Sequence, residues 1–138
     1  MENFKLYSQY YDLLYEDKDY LAEVEYVDQL IKAYKPNSKS ILELGAGTGK
    51  HAFLLAEKGY QILGVERSAD MVAIANKEQN ENVSFDVADI TNFNLNKSFD
   101  VATSLFHVIS YLTDNKSLIQ TFKNVNLHLN EDGLFIFD

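Results

Sequence analysis

From Ile41 to Gly49 the chain reads Ile-Leu-Glu-Leu-Gly-Ala-Gly-Thr-Gly, and Lys50 to Lys58 then reads as a helix. An apolar strand that runs into three alternate glycines and straight on into a helix leaves few folds open. In an α/β chain such a strand–turn–helix is where a nucleotide-like cofactor lies, because glycines let ligand and backbone approach closely.

The flanking sequence supplies the rest of that α/β pattern. Residues 2–35 read as two tyrosine-rich helices with a bend at the charged stretch Glu16-Asp17-Lys18-Asp19. Leu6, Tyr10, Leu13 and Leu14 share one face of the first, and Tyr20, Val24, Val27, Ile31 and Tyr34 continue at helical spacing. Pro36 ends the region, since proline disfavours helix at the residue before it. Strand one is Ser40–Leu44, and its helix is expected to bury Ala52, Phe53, Leu55 and Ala56, with Gly59 as a left-handed cap. Strand two, Gln61–Val65, ends at Glu66. Ser68 then caps a helix with Asp70 in its first turn and Met71, Val72, Ile74 and Ala75 facing inward. Strand three is Val83–Val87, and Thr91–Lys97 reads as a polar loop outside the core. Strand four is Phe99–Ser104. Thr113 or Asp114 caps a helix striped by Leu118, Phe122, Val125 and Leu129, then Glu131-Asp132-Gly133 turns into strand five, Leu134–Phe137. Strands alternating with helices imply βαβ crossovers and a mostly parallel, doubly wound, Rossmann-like sheet.

At 138 residues the chain is one domain, divided into a helical cap (1–37) and a cofactor-binding core (38–138). The net charge of −9, with Arg67 the single arginine, argues against a nucleic-acid partner, because phosphate backbones require clustered Lys and Arg. No apolar run reaches the roughly 18 residues of a membrane span. With no cysteine and no signal-peptide pattern at the N-terminus, the expected setting is cytoplasmic.

The spacing of the turn narrows the ligand. A dinucleotide fingerprint, G-x-G-x-x-G, would need glycine at position 50, where this chain has Lys50. No G-x-x-x-x-G-K-[ST] phosphate loop occurs either. Glu43, two residues before the first glycine, would disfavour a pyrophosphate, but it suits S-adenosylmethionine, which carries an ammonium and a sulfonium and no phosphate. Glu66, about twenty residues past Gly45, is placed to accept hydrogen bonds from ribose hydroxyls. Asp89, just after strand three, either takes a hydrogen bond from an adenine amine or is a solvated loop acid.

Glu43-Leu44-Gly45-Ala46-Gly47-Thr48-Gly49, Gly64-Val65-Glu66-Arg67-Ser68, Val87-Ala88-Asp89-Ile90 and Phe99-Asp100-Val101 resemble, in order and spacing, the motifs of class I S-adenosylmethionine-dependent methyltransferases. Tyr11-Asp12, Lys18-Asp19-Tyr20 and Phe106–Leu112 further resemble the bacterial small-molecule subgroup that contains nucleotide-linked amino-sugar N-methyltransferases. The resemblance implies S-adenosylmethionine as cofactor and S-adenosylhomocysteine as product. It implies a cofactor site of Tyr11, Glu43, Gly45, Ala46, Gly47, Gly49, Glu66, Arg67, Met71, Asp89, Ile90 and Leu105. Tyr11, His107 and Tyr111 are then the candidates for orienting an acceptor amine or receiving its proton. Simple packing is the alternative for Tyr11, and a place in the cleft wall is the alternative for His107. His51 also matches the subgroup but acquires no role, and His128 reads as a surface residue. No metal site is expected, because His51, His107 and His128 fall in separate elements.

The resembled fold has seven strands, so strands six and seven are expected to be missing and the order to be 3-2-1-4-5. An apolar strand five along an open edge then implies a truncated chain or pairing with another copy. Three functions follow for comparison: methyl transfer to a small-molecule acceptor, cofactor binding without catalysis because the acceptor half is absent, and nicotinamide-dependent oxidoreduction, which Lys50 and Glu43 disfavour.

Overall fold

Five strands form one sheet in the order β3-β2-β1-β4-β5, and every pairing between them is parallel. The computed structural model describes residues 19–105, 108–112 and 114–138, with the side chains of Ser110 and Tyr111 excepted. The strands are β1 (Ser40–Leu44), β2 (Gln61–Glu66), β3 (Val83–Val87), β4 (Phe99–Ser104) and β5 (Leu129–Phe137). The helices are α1 (Tyr20–Tyr34), α2 (Lys50–Glu57), α3 (Ala69–Asn76) and α4 (Asn115–Leu127), with a 3-10 turn at Val108–Tyr111.

β1 lies at the centre, and its Ile41, Leu42 and Leu44 are wholly buried. Side chains alternate along a strand, so the sheet feeds two cores. Ile41, Ile62, Phe85 and Val101 pack with Val24 and Ile31 of α1, Ala52 and Leu55 of α2, and Val72 of α3. Leu42, Leu44, Val65 and Ala102 pack on the other face with Val125 of α4 and with Phe93. Helices therefore cover both faces, as the alternating pattern predicts.

The helix starts follow local chemistry. Asp19 accepts a hydrogen bond from Ala22 N at 2.9 Å, Ser68 from Met71 N at 3.3 Å, and Asp114 from Ser117 N at 2.7 Å, each satisfying a first-turn donor that has no partner within its helix. α1 is held to the sheet below it by Asp28, which is buried, pairs with Lys32, and accepts from the Tyr60 hydroxyl. At the amino ends of the strands Asp100 is a second anchor. Its Oδ2 accepts from Lys39 N (2.8 Å) and Ser40 N (3.2 Å), and its Oδ1 from Asn130 (2.9 Å).

Four expectations are corrected. The Thr91–Lys97 connection is not wholly outside the core: Phe93 is 5% exposed and packs into the lower cluster. His128 is buried, not superficial. Its ring lies 4.5 Å from that of Phe93, its Nδ1 is 2.7 Å from Asn124 O, and its Nε2 accepts from Leu95 N at 3.1 Å. Those partners require the proton on Nδ1. Strand five begins at Leu129, because Phe99 pairs with Leu129 and Val101 with Leu134, so the Glu131-Asp132-Gly133 turn is an irregularity inside the strand. Leu129 consequently belongs to β5 and not to the stripe of α4, whose buried residues are Thr121, Asn124 and Val125.

Candidate functional site

The carboxyl ends of β1, β2 and β4 and the segment after β3 open into a cleft of about 270 Å³. This is the edge of an open parallel sheet where ligands gather, because β1 is the point at which the strand order reverses. The glycine turn forms its floor. Gly45 N and Ala46 N both donate to Val65 O, at 2.9 and 3.0 Å, fastening the turn to the neighbouring strand. Gly45 has φ +68°, and a Cβ there would stand 2.6 Å from Val108 Cγ1, so both conformation and space require glycine. Gly47 (φ +59°) lines the cleft, and a Cβ there would meet nothing within 4 Å.

Glu66 is held by backbone donors from two sides. Its Oε1 accepts from Gly47 N at 3.2 Å and its Oε2 from Ser68 N at 2.7 Å. One acid at the end of β2 thereby joins the glycine turn to the start of α3 and presents its remaining lone pairs at the cleft. Asp89 also lines the cleft. Its Oδ1 takes both Thr91 N (2.9 Å) and Thr91 Oγ1 (2.8 Å), and these bonds hold its carboxyl below the usual range against a smaller opposing effect of burial. Arg67, Met71, Ile90 and Leu105 complete a wall that is charged at one side and apolar at the other.

Glu43 lies behind this wall. It is 2% exposed, its Oε2 has no hydrogen-bond partner among the described residues, and burial pushes its carboxyl up to about 8. His51, in the first turn of α2, stands between it and the cleft. Its Nδ1 is 3.9 Å from Glu43 Oε1 and its Nε2 is 3.4 Å from Glu23 Oε1. The Tyr20 ring meets the imidazole edge-on, with centroids 4.8 Å apart.

Of the sequence candidates, Gly45, Ala46, Gly47, Glu66, Arg67, Met71, Asp89, Ile90 and Leu105 line the cleft. Gly49 does not: it caps α2 with φ +91°, and a Cβ there would meet the Phe85 ring at 2.7 Å. Tyr11 and His107 lie outside the described residues, as does the side chain of Tyr111, whose backbone ends the 3-10 turn beside the cleft. Sequence reasoning missed Tyr20, Thr48, Lys50, His51, Ser68, Ala88, Val108 and Leu112 as lining residues. Position alone could have found Lys50 and His51, because the first turn of a helix that follows a ligand-binding turn stands at the mouth of the site. Val108 and Leu112 lie in the Phe106–Leu112 run that carries the subgroup resemblance, but as apolar residues they gave no sign of their own that they line the cleft. Among the described residues no group of three His, Asp or Glu side chains is placed to hold a metal, and no helix is long and apolar enough to cross a membrane.

A family model described as "Methyltransferase domain" matches residues 41–133, the stretch from β1 into β5 that builds the cleft. The chain belongs to this family. The dTDP-3-amino-3,6-dideoxy-alpha-D-glucopyranose N,N-dimethyltransferase of Streptomyces fradiae is 29% identical to this methyltransferase domain, over 95% of this chain and 52% of the relative. The solved sugar N-methyltransferase KedS8 from Streptoalloteichus sp ATCC 53650 is 32% identical, with a TM-score of 0.86 over 93% of this chain and 52% of that one. A solved S-adenosylmethionine-dependent methyltransferase from Clostridium acetobutylicum is 29% identical, with a TM-score of 0.83 over 95% and 55%. The methyltransferase domain described here thus spans about half the length of each relative.

Proposed function

We propose that this methyltransferase domain binds S-adenosylmethionine and that the protein transfers the methyl group to a small-molecule acceptor, the amine of a nucleotide-linked amino sugar. The observation that carries the cofactor reading is Glu66, whose two oxygens are fixed by Gly47 N and Ser68 N at the cleft beside an unobstructed glycine. The donor set fits such a ligand in three respects. Glu66 can accept from a ribose diol, the Gly47 backbone leaves room for close approach, and the Glu43 Oε2, with no hydrogen-bond partner among the described residues, is a buried acceptor behind the cleft wall.

S-adenosylmethionine supplies a methyl group already activated on a sulfonium, so the protein's task is alignment and exclusion of water. Glu66 would hold the ribose, and Asp89 the adenine amine, with Met71 and Ile90 flanking the base. Gly45, Ala46 and Gly47 offer close backbone approach, and Leu105 closes the wall. Tyr11 is assigned to the methionine carboxylate. An acceptor amine reacts only when neutral, and His107 and Tyr111 are assigned to orient it and take its proton. The amino-sugar acceptor is supported by the Streptomyces fradiae relative and by KedS8.

A second reading, favoured by the half-length match to those relatives, is that these residues bind cofactor and turnover needs a further part of the protein. Calorimetry with S-adenosylhomocysteine against NAD tests the cofactor. Methyl transfer to a panel of dTDP-amino sugars, with and without a C-terminal extension, tests the acceptor and separates the two readings. Binding of NAD in preference to S-adenosylhomocysteine would overturn both.

A further inference from the structure

The cofactor reading leaves His51 without a task, although its ring is one of the most enclosed parts of the cleft wall at 7% exposure. It bridges three elements. Glu43 projects from β1, His51 from α2, and Glu23 from α1, so a carboxylate, an imidazole and a second carboxylate follow one another through the wall. The first acid is sealed from water and, among the described residues, its Oε2 has no hydrogen-bond partner while its Oε1 faces the imidazole at 3.9 Å. An ionised carboxylate so placed is costly unless a proton or a cation accompanies it.

We propose that Glu43, with the His51 imidazole 3.9 Å from its Oε1, holds a proton in the cleft wall and releases it to solvent when a cationic amino-acid group binds beside it. This rests on the cofactor reading above. With the cleft empty of a cation, the proton stays on Glu43, in keeping with a carboxyl that burial raises to about 8. When an ammonium enters, it supplies the missing positive charge, the Glu43 O–H bond breaks, and the proton passes by the imidazole to the buffer. His51 is the route because it lines the cleft and Glu43 does not. Among the described residues, the other titratable or charged groups against the pair are Tyr20 and Glu23 from α1 and Lys50 at the start of α2. The strands flanking β1 set Gly64 and Thr103 beside Glu43, and neither titrates. His51 is therefore a positioning residue that links cofactor affinity to pH.

The test is calorimetry of S-adenosylhomocysteine binding to the purified protein, in buffers of different ionisation enthalpy, from pH 6 to 8.5. At pH 7 the wild type is expected to release about 0.9 proton, the protonated fraction of a group titrating near 8. Affinity is expected to rise up to about tenfold from pH 6 to 7 and to level off above 8. Glu43→Gln should release none and bind independently of pH, and His51→Gln should move the pH at which affinity levels off. Binding with no proton release by the wild type, undiminished release by Glu43→Gln, or an unmoved levelling pH in His51→Gln would each overturn the proposal while leaving the cofactor reading intact. Absence of binding at every pH would overturn the cofactor reading and this inference with it. Should Glu43→Gln not fold, the wild-type proton count together with the His51→Gln shift decides.

Discussion

Replacing Glu66 by glutamine tests the architecture of the cleft most directly, because it keeps size and removes one acceptor. In the native site each carboxylate oxygen serves a different backbone donor, Gly47 N at 3.2 Å and Ser68 N at 2.7 Å. Glutamine has one oxygen. If it serves Ser68, its amide N–H turns on Gly47 N–H, and two donors face each other. One charge-assisted bond is lost and the other becomes neutral. Hydrogen bonds to charged groups are worth about 1.5–3 kcal/mol net, and a half-buried site places these at the lower end. Glu66→Gln should therefore cost about 2 kcal/mol, and Glu66→Ala, which loses both bonds, about 3 kcal/mol. At a urea dependence of roughly 2 kcal/mol per M, the glutamine variant unfolds at a midpoint lower by about 1 M. The same substitution removes an acceptor for the ribose, so S-adenosylhomocysteine should bind about 10- to 100-fold more weakly in calorimetry. A glutamine variant that keeps its urea midpoint and binds within twofold of wild type would refute the reasoning.

Further outcomes are expected. Gly45→Ala should destabilise by more than the roughly 1–2 kcal/mol cost of a left-handed alanine, because its Cβ also overlaps Val108. Gly47→Ala should show only that conformational cost in thermal unfolding while weakening cofactor binding. Glu43→Gln should be more stable than the ligand-free wild type at pH 8 by a few kcal/mol. The folded carboxyl titrates about 8 against 4.5 unfolded, so wild-type stability is lost as pH rises between those values and the two proteins converge below pH 4.5, which denaturant melts across pH would show. At Asp100, burial raises the carboxyl, but hydrogen bonds from Lys39, Asn130 and Ser40 outweigh it and leave the pKa lowered. Its contribution is thus present above about pH 4 and lost as pH falls further, and Asp100→Asn should cost about 1–2 kcal/mol at pH 7 and progressively less as pH falls below 4. Finally, among the described residues β5 pairs only with β4, and its Phe137 is 47% exposed, so we propose that this edge pairs with another copy of the chain. Light scattering should find a dimer that Ile136→Lys dissociates, and a strictly monomeric wild type would defeat the proposal.

Much of the fold was legible because short-range chemistry writes it. Strand lengths for β1 to β4, the caps at Ser68 and Asp114, and the glycine turn depend on residues within a few positions of one another, and their spacing survives in the chain as text. The order β3-β2-β1-β4-β5 is the one that the resemblance to class I methyltransferases implied, and the strand pairings bear it out. Glu66 and Asp89 were legible as cleft residues for the same reason, Glu66 ending β2 and Asp89 standing two residues past the end of β3.

What only the tertiary structure decided depends on residues far apart in sequence. Phe93 sits in an Asn-rich connection, yet the lower face of the sheet needs an aromatic there, and the loop folds under to supply it. His128 carries no mark that distinguishes it from a surface histidine, and its burial follows from Leu95 N, 33 residues away. The start of β5 depends on Phe99 pairing with Leu129 across the irregularity at 130–133. The pair of Glu43 and His51 belongs to both groups. The glycine turn between them sets its existence locally, while its burial, its link to Glu23 and hence its hold on a proton come from α1 closing over the sheet.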